Sequence, residues 1–179
     1  MRSARTNSFS VSTRQRNILI IISIATILPL LSILASNPQK RYYLNLSSSM
    51  PLGIYKITPA AALTPGDLVV FDPPEVARPY IYGRRWLPAG WPLIKQIGAL
   101  AGDTFSIEGA SFCINNKYIG AVYTQDGEGG TLPRITGIHT VKSGTFLPIS
   151  PYSRSFDGRY FGAVPVSSIK GKATPLWYW

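Results

Sequence analysis

The sequence predicts a mainly β domain preceded by one N-terminal transmembrane helix. Three observations lead there: an uncharged apolar run near the start, Pro and Gly recurring every few residues after it, and segments rich in Val, Ile, Tyr, Phe and Thr in between. Beyond the apolar run no helical period lasts three turns.

The apolar run is ILIIISIATILPLLSILA, Ile18 to Ala35. At ~1.5 Å per residue it lies near the lower length limit for the hydrocarbon core of a bilayer. Pro29 is tolerable because a helix in lipid can absorb one kink. Arg2, Arg5, Arg14 and Arg16 precede the run and only Lys40 and Arg41 follow it closely, which places the N-terminus in the cytoplasm. The expected organisation is a cytoplasmic basic segment over 1–17, an inner-membrane anchor over 18–35 and a periplasmic domain over 36–179. A cleaved secretory signal is the competing reading; against it, Ile33 stands where a small residue is wanted before Ala35, and the run is longer than a usual signal core.

In the domain, strands are expected at about Leu52 to Thr58, Asp67 to Phe71, Leu93 to Ala99, Thr104 to Ile107, Ser111 to Ile114, Lys117 to Ala121, Thr145 to Ile149 and Tyr160 to Val164. Two turns resemble each other, LTPGDLVVF from Leu63 and LAGDTFSI from Leu100. In each, Gly supplies a positive φ, Asp bonds back to the turn and a strand follows. The polar, glycine-rich stretch YTQDGEGGTLPRITG, Tyr123 to Gly137, reads as an exposed loop.

Composition narrows the chemistry. A chain of 179 residues with 45% hydrophobic content fits one globular domain with an appended segment. The net charge of +10 would suit nucleic acid or an anionic membrane surface. Its placement favours the membrane: arginines gather before the apolar run, the first acidic residue is Asp67, and no basic stripe with interleaved aromatics suggests a nucleic-acid partner. Cys113 is the only cysteine, which excludes an intramolecular disulfide and a cysteine-based zinc cluster. His139, the only histidine, sits in ITGIHTVKSG with no signature around it and reads as a surface or strand-edge residue. The expected chemistry therefore manages without imidazole, metal or cofactor.

Lys95, in GWPLIKQIGALAGD, is the most informative residue. In a strand, Leu93, Lys95 and Ile97 share one face and Ile94 and Gln96 the other, which puts an ammonium on an apolar face. One reading is an edge lysine whose stem covers apolar surface while its head reaches water. The other is a desolvated amine with a lowered pKa, able to take a proton from a serine. Such a Ser-Lys dyad needs neither histidine nor metal.

Three boxes then resemble the signal peptidase superfamily, serine peptidases with a lysine general base. SMPLGIY, Ser49 to Tyr55, is similar to its nucleophile box, in the form closest to the conjugative-transfer peptidases called TraF. KQIGALAGD places Lys95 eight residues before Asp103, the family's spacing, and SFDGRYFGAVP, Ser155 to Pro165, resembles the third box. Short motifs match by chance, but three in order behind an anchor make a strong signal. The sequence departs from the family at Gly158, where a serine is usual, at Ala101, where many members have Pro, and in lacking an asparagine-rich run before the third box.

The resemblance implies a signal-peptidase-like β fold with a small cap. It implies Ser49 as nucleophile, Lys95 as base, Ser47 as an oxyanion-hole hydroxyl beside the Ser49 N–H, Ser155 as the hydroxyl that orients the lysine, and Asp157 and Arg159 as a supporting pair; Ser48 becomes a spacer. The implied partners are a membrane-inserted precursor polypeptide, membrane lipid and a conjugative-transfer or secretion machinery. Prepilin maturation, with or without cyclisation, is the expected task. A general leader peptidase and a non-catalytic anchored scaffold are the alternatives. Only residues 36–48 separate the anchor from Ser49, so the site is expected close to the outer membrane surface. Trp86, Trp91 and the terminal PLWYW, Pro175 to Trp179, are candidates to dip into headgroups, Trp91 fitting the core better.

Overall fold

The computed structural model describes residues 12–35 and 42–179. Arg2, Arg5, Lys40 and Arg41 lie outside the described residues. The chain divides into two compact units, 1–40 and 41–179.

In the first unit, α1 spans Thr13–Ala35 with Pro29 inside it. It begins earlier than the expected Ile18 because Ser12 and Gln15 form a reciprocal cap: the Gln15 N–H donates to Ser12 Oγ at 3.3 Å and the Ser12 N–H to Gln15 Oε1 at 3.1 Å. The polar first turn, with Arg14 and Arg16, thus becomes part of the helix. Among the described residues no helix is long and apolar enough to cross a membrane, so the expected transmembrane helix is present as a helix and not shown as a span.

The second unit is mainly β. Strands β1 (Tyr42–Asn45), β2 (Gly53–Thr58), β3 (Leu68–Phe71) and β4 (Leu93–Ala99) are followed by β5 (Thr104–Glu108), β6 (Ser111–Ile114), β7 (Lys117–Ala121) and β8 (Gly137–Thr140). After these come β9 (Thr145–Ile149), β10 (Val164–Pro165) and β11 (Ile169–Tyr178), with short helices α2 (Arg78–Ile81) and α3 (Gly158–Phe161) in the connections. The main sheet has the order β1-β2-β11-β3-β4-β9-β10, and a smaller sheet, the expected cap, has the order β7-β6-β5-β8. All pairings are antiparallel.

The central strands β3 and β4 of the main sheet are buried on both faces. Val69, Phe71, Leu93, Ile97 and Phe146 pack on one side, and Tyr43, Met50, Tyr55, Val70 and Ile94 on the other. That explains the near-continuous apolar sequence of β4, which lies between β3 and β9. The cap has its own core of Phe105, Ile107, Phe112 and Ile114. Its β6–β7 turn is Asn115-Asn116, with φ of 48° and 63°, the left-handed pair that a two-residue hairpin needs. The two similar turns behave alike: the N–H groups of Thr64 and Leu100 each donate to an aspartate three residues on, Asp67 and Asp103, at 2.8 Å. His139 lies on the cap's edge strand β8, stacked on Phe105.

One expected strand is absent. Tyr160 to Val164 divides into the end of α3 and the start of β10, because the Asp157 side chain caps the Arg159 N–H at 3.1 Å and turns the chain into a helix that stops at Gly162, φ 79°. Strands β1, β8 and β11 were not expected. Pro175 hides β11, but it sits where the register with β2 shifts, a place that tolerates a missing N–H.

Candidate active site

Ser49 lies on the turn between β1 and β2, and one buried side chain shapes that turn. Asn45, at the end of β1, is fully buried; its Nδ2 donates to the carbonyls of Ser47, Met50 and Pro51, each at 3.0 Å. Its Oδ1 accepts from the Ser47 N–H at 3.1 Å and the Ser47 hydroxyl at 3.0 Å. Gly53 completes the bend at φ 155°, where a Cβ would meet the Trp177 carbonyl oxygen of β11 at 2.2 Å.

Ser47 Oγ and Ser49 Oγ are 3.1 Å apart. Since Ser47 spends its one hydroxyl proton on Asn45, the proton between the two serines comes from Ser49. At rest, therefore, the Ser49 proton points at Ser47. Ser48 is exposed.

Lys95 sits mid-strand in β4 and is 2% exposed. A central position leaves no edge from which its head could reach bulk water, so the edge-lysine reading is ruled out. Its Nζ donates to Ser155 Oγ at 2.8 Å. Burial pushes the ammonium down from 10.5 to about 8, with Asp157 drawing it back up and Arg159 pushing it further down. Among the described residues no hydrogen bond joins Lys95 to Ser49. The two face the same cleft of about 690 Å³, together with Ser47 and Ser155.

Asp157 and Arg159 are buried behind Ser155. Arg159 Nε donates to Asp157 Oδ1 at 2.8 Å, and its other nitrogens reach Asp157 Oδ2 and the carbonyls of Ala121, Ser150 and Ser153. Burial pushes the Asp157 carboxyl up, and the guanidinium and Lys95 oppose that. This pair ties the end of β7 in the cap to the end of β9 in the main sheet.

The stretch expected as an exposed loop is one, and it also lines the cleft through Tyr123, Asp126, Glu128 and Leu132. Arg84 holds it: the guanidinium pairs with Asp126, donates to the Thr131 carbonyl at 2.6 Å and lies over the rings of Tyr80 and Trp86. Ile81, Leu87, Leu93 and Phe156 add apolar lining to the cleft.

With this geometry in place the relatives are informative. The family described as signal peptidase, peptidase S26, matches residues 14–179. The chain belongs to this family. Members of the peptidase S26 family are serine hydrolases, so the protein is a serine peptidase acting on polypeptide. A probable conjugal transfer protein TraF of Sinorhizobium fredii is 35% identical over 145 residues, 74% of each chain. A conjugal transfer protein TraF of Agrobacterium tumefaciens is 37% identical over 152 residues, 75% of this chain and 81% of its own. A plasmid transfer protein TraF of Escherichia coli is 32% identical over 147 residues, 75% of this chain and 82% of its own. Among solved structures, a signal peptidase I from Enterococcus faecalis is 22% identical with a TM-score of 0.39, covering 64% of this chain and 98% of that one.

Sequence reasoning missed Asn45, Ser150 and Arg84. An Asn two residues before Ser47 is an Asx-turn signal that marks the bend. Ser150 and Arg84 carry no local signal, since their partners lie about a hundred and about forty residues away.

Proposed function

We propose that this S26 peptidase cleaves membrane-inserted precursors with Ser49 as nucleophile and Lys95 as general base, and that its substrate is the pilin precursor of a conjugative-transfer system. The observation that carries the dyad is the amine of Lys95, buried with no ion-pair partner among the described residues, held by Ser155 and facing the cleft of Ser49. When Lys95 is neutral, the Ser49 hydroxyl turns from Ser47 and gives its proton to Nζ as Oγ bonds to the scissile carbonyl carbon. The Ser47 hydroxyl, released from Asn45, and the Ser49 N–H stabilise the oxyanion, each donor being worth about 3 to 4 kcal/mol. Lys95 returns the proton to the leaving amine as the C–N bond breaks. Water, or the amine of a peptide, then resolves the acyl-enzyme; the second route closes a circle.

The TraF relatives support the conjugative task. An inner-membrane setting, with α1 as anchor over 18–35 and the domain in the periplasm, is supported by two features. Apolar side chains from Ile18 to Leu28 are exposed around the helix, which suits lipid. On the domain, Leu44, Ile54 and Trp177 stand in register across β1, β2 and β11, flanked by exposed Tyr42 and Trp179, the composition of a headgroup-facing surface. Trp91 is half-buried and packs against the core.

The test is intact-mass analysis of a candidate prepilin co-expressed with wild type, Ser49→Ala or Lys95→Ala. Loss of processing in both variants supports the dyad, and a product lighter by one water adds cyclisation. Unchanged processing overturns the assignment, and a wild type that leaves prepilin intact while trimming many exported precursors points to a general leader peptidase.

A further inference from the structure

We infer that Ser150 is a positioning residue that holds the Ser49 turn in line with Lys95. The inference rests on the assignment of Ser49 and Lys95 proposed above. Ser150 follows β9 and is buried. Gln96 pairs with Ile149 and Ile97 with Pro148, so one step along the same antiparallel register sets Ser150 opposite Lys95. From that place its hydroxyl donates to the Ser49 carbonyl. Among the described residues this is the only side-chain hydrogen bond that enters the turn 47–52 from outside residues 45–55.

Every polar atom of Ser150 is committed. Its N–H donates to Asp157 Oδ2 at 2.9 Å, its carbonyl accepts from Arg159 at 3.0 Å, and its Oγ accepts from the Tyr152 N–H at 3.1 Å. The residue is thus fixed by the buried ion pair on one side and grips the nucleophile's backbone on the other. Holding the Ser49 carbonyl fixes the plane of the Ser49–Met50 peptide and, with it, the direction from which the Ser49 side chain leaves the backbone. Asn45 organises the turn from within; Ser150 docks it against the strand that carries the base. A nucleophile displaced by roughly 1 Å loses on the order of a hundredfold in rate, so one hydroxyl at this point governs turnover.

The experiment uses the full chain in detergent micelles with an internally quenched peptide carrying alanine before the scissile bond. We expect Ser150→Ala to lower kcat by roughly 10- to 100-fold with KM near the wild-type value, and Ser150→Thr, which keeps the hydroxyl, to restore most of it. The pH midpoint stays where Lys95 sets it, because the surroundings of the amine are intact. A kcat within threefold of wild type in Ser150→Ala, or an equal loss in Ser150→Thr, overturns the role. Should Ser150→Ala fail to fold, Ser150→Cys, which keeps the volume and weakens the donor, gives the same comparison with Ser150→Thr. Ser49→Ala runs alongside: turnover lost there but kept in Ser150→Ala removes only the positioning role, whereas turnover kept in Ser49→Ala removes the dyad as well.

Discussion

Lys95 Nζ donates to Ser155 Oγ at 2.8 Å from within a strand buried on both faces. The bond directs a buried amine, and it comes from the residue two positions before Asp157, so the base proposed above is aimed by the segment that carries the buried ion pair.

Removing that hydroxyl tests its aim. Ser155→Ala is expected to lower kcat by about 10- to 100-fold, the equivalent of losing a hydrogen bond to a charged group worth ~1.5 to 3 kcal/mol. Ser155→Thr should recover most of the loss, and steady-state kinetics on a quenched peptide read both. Full activity in the alanine variant would show that packing alone orients the lysine.

The pH profile follows from burial. As the base proposed above, Lys95 acts only when neutral, so kcat should rise with pH and level off above about 8. Stability has the same sign: between about 8 and the ordinary 10.5 the unfolded chain keeps a proton that the folded chain has released, so stability rises across that window and falls as pH drops through about 8. Lys95→Met should abolish activity and remove this part of the Tm change between pH 7 and pH 10. An identical pH dependence of Tm in variant and wild type sinks the idea.

Arg159 is the joint between the sheets. Lysine keeps the charge but not the planar fork that reaches Asp157, Ala121, Ser150 and Ser153 at once. Arg159→Lys should destabilise by roughly 3 kcal/mol, visible as a Tm lowered on the order of 10 °C in calorimetry. A Tm unchanged within a degree would contradict the role.

The Arg84–Asp126 pair is half at the surface, so its breakage should act on substrate more than on stability. Asp126→Ala is expected to raise KM severalfold as the loop that lines the cleft loosens, with Tm nearly unchanged. Kinetics that match wild type would show that the loop reads no part of the peptide.

Much of the fold was legible because short antiparallel strands and tight turns leave local marks. Leu93 to Ala99, Ser111 to Ile114 and Lys117 to Ala121 coincide with the observed β4, β6 and β7. The aromatic run at Tyr160 misled because an aspartate cap outweighed β propensity, and β11 was hidden because a bulge makes room for Pro175. The six residues named as a site came from the family resemblance and, for Lys95, from a charge on an apolar face; the structure brings Ser47, Ser49, Lys95 and Ser155 to one cleft with Asp157 and Arg159 behind it, and their catalytic roles are the proposal made above. What stayed illegible is what spans long sequence distances, such as Ser150 meeting Ser49 and the 123–132 loop folding back onto Arg84.

The strand order β1-β2-β11-β3-β4 has a consequence for biosynthesis. β2, which follows the serine turn, and β3, which leads to the lysine strand, are neighbours in sequence but not in the sheet; the last strand to emerge is the wedge between them. Until β11 pairs, the Ser49 turn meets the Lys95 strand only through the packing of Met50, Val70 and Ile94 and the Ser150 hydrogen bond, with no continuous sheet between β2 and β3. On the assignment of Ser49 and Lys95 proposed above, activity is therefore expected only once β11 has closed the sheet between β2 and β3.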